Sequence, residues 1–146
     1  MDNKETTFRN PKRLTQLVRY SLYAQIAIAI ISIMVGDSDE QRNRFVAILY
    51  IVITVVSGVP ILWWIYRMSD NAHQLGATDM DFSPIWSIGY YFIPIYNIRQ
   101  PYLAMVDIWK ASKNPHHWRT QSRPLILLVW WLVWLLPALV SVVYWV

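Results

Sequence analysis

Cysteine is absent from the 146-residue sequence. That absence removes disulfides, thiolate nucleophiles, Cys-ligated zinc and thiol-bound clusters from consideration. Histidine is scarce too, with His73, His116 and His117 the only three. Adjacent His116 and His117 point in different directions on most backbones and no ligand spacing recurs, so neither a metal nor another cofactor is expected. Charge is missing from long stretches: Phe45 to Tyr66 runs 22 residues without a charged side chain, and Pro124 to Val146 carries none. Asp70, Asp79 and Asp81 lie in the polar stretch that follows Tyr66. Nothing places a nucleophile or oxyanion donors beside them, so they read as a solvated face and the chain as a non-enzyme.

What the sequence does contain is apolar residues, 55% of the total, in a chain long enough for one domain. They concentrate in three runs, at about 17–35, 45–66 and 124–146. At 1.5 Å per helical residue the first two would cover roughly 28 and 33 Å, about one hydrocarbon core each. Arg19, one turn inside the first run, can snorkel to an interface. That run follows a basic stretch, as in a signal peptide, but its apolar core is long and no Ala-x-Ala site precedes Asp37, which favours a retained helix. Gly58 and Pro60 predict a kink in the second run, Thr54 with Gly58 a close-packing face, and Pro137 a bend in the third.

Apart from Arg19, the thirteen Lys and Arg fall outside the three runs. A nucleic-acid binder needs its basic residues on one wet surface, so the +4 charge is better explained by membrane topology. An N-terminus in the cytoplasm puts eleven basic residues inside and two, Arg42 and Arg44, outside. Trp63, Trp64 and Tyr66 then mark the inner interface, and Tyr144 with Trp145 the outer one. The last residue, Val146, has no charged flank; either the terminal carboxylate marks the outer interface or a further span follows.

The segment 67–83 is polar and turn-rich, whereas 84–98 is apolar and aromatic but interrupted by Gly89 and Pro94. A straight helix over it would reach only about 22 Å, short of a bilayer core. It reads as a Pro-broken re-entrant or interfacial hairpin entering from the cytoplasmic side, since irregular backbone at depth needs protein or a wet cavity around it. Pro101 opens an amphipathic surface helix over 101–113, with Tyr102, Met105, Val106 and Trp109 on one face and Asp107 three residues before Lys110, a spacing suited to an ion pair. The expected fold is therefore an all-α membrane protein with three transmembrane helices, that hairpin and that helix.

Trp64, Arg67, Asn71, Leu75-Gly76-Ala77, the run from Phe82 to Asn97, Arg99 to Met105 and Ile108 to Ser112 together resemble the signature of the DUF4328 family. Asp107 stands where that family often has Glu, which keeps the charge. The resemblance implies a bacterial inner-membrane protein, usually with a further hydrophobic span, and it supplies no activity.

Asn97, Arg99 and Asp107 form the leading polar cluster, because an ionisable group near the bilayer usually has a use. In one reading Arg99 meets an anionic headgroup or substrate with Asn97 and Tyr96 as hydrogen-bond partners. In the other, which the sequence favours, Asn97 caps the helix opened by Pro101 and Arg99 anchors the hairpin at the headgroups. Trp134 either walls a ligand cavity or, more simply, packs with Trp130 and Trp131 against the aromatic hairpin. The functional expectation is a small polytopic membrane protein acting through lipid contacts, self-association or another membrane protein. The alternative is a transporter or channel subunit whose broken segment lines the pathway.

Overall fold

The computed structural model describes residues 8–35 and 40–144, with side chains described over 8–34 and 43–136. Every regular element among them is helical. In chain order these are α1 (Lys12–Val35), α2 (Glu40–Gln74), α3 (Trp86–Gly89), 3-10 turns at Tyr90–Phe92 and Tyr96–Ile98, α4 (Gln100–Lys113), a 3-10 segment at Pro115–Thr120, and α5 (Leu125–Tyr144). The chain divides into two compact units, Asn10–Trp64 and Met1–Arg9 with Ile65–Val146.

In the first unit α1 starts five residues before its apolar run. Asn10 explains this: its Oδ1 accepts from the Lys12 amide at 3.1 Å, while Pro11 opens the first turn and its carbonyl accepts from Thr15. Trp64 Nε1 donates to Thr15 Oγ1 at 3.1 Å, satisfying the indole of α2 against α1. Ser21 and Ser32 donate back to Leu17 and Ile28 carbonyls, so neither hydroxyl asks for water. α2 continues as helix through Pro60. A Cβ added at Gly58 would meet nothing within 4 Å, so the close-packing face expected at Thr54 and Gly58 has no partner among the described residues.

Two helices are long and apolar enough to cross a membrane, Lys12–Met34 and Asn43–Gln74, and only 6% of the most apolar window of each is buried. Nine large apolar side chains between Phe45 and Trp63 stand exposed. At about 1.5–3 kcal/mol each, leaving them in water would forgo roughly 15–25 kcal/mol, more than a domain's whole stability. A lipid surround would remove that deficit. The bend expected at Pro137 and the rings of Tyr144 and Trp145 lie outside the described side chains. α5 is 20 residues long, and its described side chains, Leu125–Leu136, form a shorter apolar helix.

In the second unit α2 runs to Gln74, correcting the turn-rich reading of 67–74. Local bonds carry it there: Gln74 Nε2 donates to Asp70 Oδ2 at 3.0 Å, and His73 Nδ1 lies 2.8 Å from the Ser69 carbonyl. The helix ends in a Schellman motif, with Gly76 at φ +96° donating to the His73 carbonyl and Ala77 donating to that of Ala72. Asn71 clasps the chain at Arg9, its Oδ1 accepting from the Arg9 amide and its Nδ2 donating to the Arg9 carbonyl. Trp118 fills a pocket of small residues, Ala72, Ala77 and Ala111, with Met80 against it. Its Nε1 donates to the Thr78 carbonyl at 3.0 Å.

α4 is the hub of this unit and packs on the Pro115–Thr120 segment, the Tyr96–Ile98 turn, α3 and α5. Of the expected apolar face, Val106 is buried, Tyr102 and Met105 are half-buried, and Trp109 is exposed. Pro101, Ala104, Asp107, Ile108 and Ala111 are buried as well, because close packing on several sides of α4 takes in small residues beyond that face.

Candidate functional site

The segment before α4 is a series of short turns. Ser83 starts it, its carbonyl accepting from the Ser87 amide, while Ser87 Oγ donates to the Pro84 carbonyl at 2.7 Å. Tyr90 then collects three rings, edge-on with Phe82 at 5.8 Å and tilted against Trp86 and Tyr96 at 5.1 and 5.7 Å. After Pro94 the backbone folds through Ile95 at φ +72° and ψ −54°, with the Tyr96 amide donating to the Pro94 carbonyl at 2.8 Å. That is a γ-turn on a β-branched residue, a sterically costly conformation. It turns the chain so that Arg99 becomes the residue preceding α4.

Arg99 at that junction, Lys110 and Asp107 on α4, Arg119 in the 3-10 segment, and Arg123 just before α5 then face one cleft of about 560 Å³. Asp81 lies at its edge, and Phe82, Leu103, Val106 and Trp118 supply its apolar lining. Arg119 is partly engaged: it donates to the Asp79 carbonyl, approaches Asp81 Oδ1 at 3.8 Å, and stacks over the Trp118 ring at 5.0 Å. Four cations thus face two carboxylates in a cleft with an apolar lining.

Asp107 is the most constrained member, only 7% exposed, and its Oδ2 has no hydrogen-bond partner among the described residues. Burial first, and then the Asp81 charge, push its carboxyl up to about 6, against the opposing pull of Lys110, Arg119 and Arg123. No ion pair within 4 Å joins Asp107 to Lys110, so the expected i,i+3 pair is not formed. A carboxylate so placed can accept from a donor brought by something else, and the cations around it can hold an anion.

The sequence-derived candidates are divided by the fold. Arg99 and Asp107 share the cleft. Asn97 does not cap α4, whose preceding residue is Arg99 with no side-chain cap; the γ-turn carries Asn97 elsewhere, its Oδ1 buried without a partner among the described residues. Tyr96 stacks on Tyr90 outside the cleft lining. Trp134 stacks on Trp131 at 4.8 Å, and Trp131 packs near Tyr102 and donates from Nε1 to the Ile98 carbonyl at 2.9 Å, which is the packing arrangement. Lys110, Arg119, Arg123 and Asp81 were absent from the sequence-derived set. The one local hint was Trp118 beside Arg119 inside a basic stretch. His116 and His117 are exposed, and the described residues contain no cluster of three or more metal-ligating side chains.

Against this geometry, the family model for a domain of unknown function, DUF4328, matches residues 30–146. The chain belongs to the DUF4328 family. The match covers α2, all of the cleft and α5, so the cleft lies wholly inside the DUF4328 region. No curated protein and no solved structure matches this DUF4328 chain.

Proposed function

We propose that this DUF4328 protein is a multi-pass module of the bacterial inner membrane that works without catalysis, through contact with lipid. α1, α2 and α5 are the three spans, with the N-terminus cytoplasmic. The segment 84–98 enters or lies on the inner face as a re-entrant element, and α4 sits beside it. The observation that carries the reading is the bare apolar flank of α1 and α2, which lipid would solvate at little cost. A second copy, or another membrane protein, covers part of that flank.

Resistance to carbonate extraction from bacterial membranes tests the first claim, and release of the chain into the soluble fraction sinks it. A maleimide that does not cross membranes tests orientation, because the native chain has no thiol. Ser112→Cys, exposed at the end of α4, reacts only in inverted vesicles, and Ile95→Cys reacts slowly from either side. Rapid labelling of Ser112→Cys on intact cells reverses the topology.

A transporter or channel subunit is the second reading. Its support is the γ-turn at Ile95 with the unpartnered Asn97 oxygen nearby, irregular backbone of the kind that lines ion paths. Solute flux in proteoliposomes that disappears in Asn97→Ala selects it over the first.

A further inference from the structure

We propose that the cleft is a binding site for a phosphate ester that also carries a hydrogen-bond donor, such as the ethanolamine or glycerol phosphate of a lipid headgroup. Arg99 and Lys110 from the two ends of α4, Arg119 from the 3-10 segment and Arg123 from the link to α5 converge there, more positive charge than Asp81 and Asp107 neutralise. Arg guanidinium groups hold phosphate oxygens through paired bonds, and basic pockets beside membrane spans are suited to headgroups. Arg123 lies two residues before Leu125, where the apolar α5 begins, so in the proposed membrane arrangement the cleft opens at headgroup depth.

The carboxylates define the ligand further. A bare phosphate dianion would meet Asp107 and Asp81 as well as the cations. Asp107 is nine-tenths buried, lines the cleft, and keeps Oδ2 without a donor. An ammonium or hydroxyl a few bonds from the phosphate supplies that donor while the phosphate remains on the arginines. Choline phosphate has the same charge as ethanolamine phosphate and no N–H or O–H to give, so the comparison of those two isolates the donor from the charge. The volume of about 560 Å³ accommodates such a headgroup.

The site depends on the membrane reading only for the source of its ligand, so the test uses dissolved short-chain lipids and the full chain in detergent. Native mass spectrometry compares dihexanoyl phosphatidylethanolamine, phosphatidylglycerol and phosphatidylcholine. The first two should bind at about tenfold lower concentration than the third. Arg123→Gln, at an exposed position, should weaken all three by about tenfold. Asp107→Leu should erase the preference over phosphatidylcholine, and Asp107→Asn should reduce it more for ethanolamine than for glycerol, since an ammonium seeks charge and a hydroxyl only an acceptor. Should Asp107→Leu fail to fold, the other two variants carry the test. Equal binding of the three lipids, a preference untouched by Asp107→Asn, or affinities untouched by Arg123→Gln overturns the proposal. Displacement by free glycerol phosphate supports the site and assigns it to a soluble ester; retention of the lipid supports it and assigns it to the headgroup.

Discussion

The Trp131 indole donates to the Ile98 carbonyl at 2.9 Å, tying α5 to the turn that leads into α4. The carbonyl belongs to an irregular turn, so the indole supplies a bond that regular helix would otherwise provide. Trp131→Phe keeps the stacked ring and removes the donor. It should cost about 1 kcal/mol, and hydrogen exchange at residues 96–99 should accelerate without a general loss of protection.

Gly76 meets two demands at once. Its φ of +96° closes α2, and a Cβ there would sit 2.7 Å from His116 Cε1. Gly76→Ala should therefore destabilise by about 1–3 kcal/mol in thermal unfolding. Adding His116→Ala should restore only part of that, because it relieves the contact and leaves the strained backbone.

Trp118 is the one large side chain in a pocket of alanines. Trp118→Ala should cost about 3–5 kcal/mol. Trp118→Phe should cost less but should strand the Thr78 carbonyl and loosen Arg119, which rests on the ring. Proteolysis within 77–83 should rise in both variants.

Asp107 makes stability depend on pH in a defined sense. Its folded carboxyl sits at about 6 against an ordinary 3.8, so between those values the folded chain binds the proton more tightly than the unfolded one. Stability is therefore greatest below the lower value, falls as pH rises through that window, and is level above about 6. The loss should amount to about 1–2 kcal/mol after allowance for solvent screening. Asp107→Asn should flatten the profile and be the more stable protein at pH 7. A wild-type midpoint that does not change between pH 4 and 7 contradicts this.

The sequence by itself determined where the two long apolar helices lie. Hydropathy adds up residue by residue, so an uncharged run such as 45–66 declares its preference without knowledge of its neighbours, and the helices at 40–74 and 100–113 cover the expected stretches. The cap at Asn10-Pro11 was not visible in this way, because hydropathy marks the apolar run from 17 and not the polar turn that precedes it. Nor was the extension of α2 to Gln74: its polar turns have the composition of a loop and are held by side-chain bonds and by Asn71 clasping Arg9.

Only the tertiary structure decided which face of α4 is buried and which charges share a cleft. Arg99 and Asp107 stood out because each sits near an apolar segment. Their companions Asp81, Arg119 and Arg123 come from elements that meet only after Trp118 docks on Ala72, Ala77 and Ala111. Coulomb interactions depend on distance in space, and the separations of 12 to 26 residues involved carry no periodic signal in a single sequence.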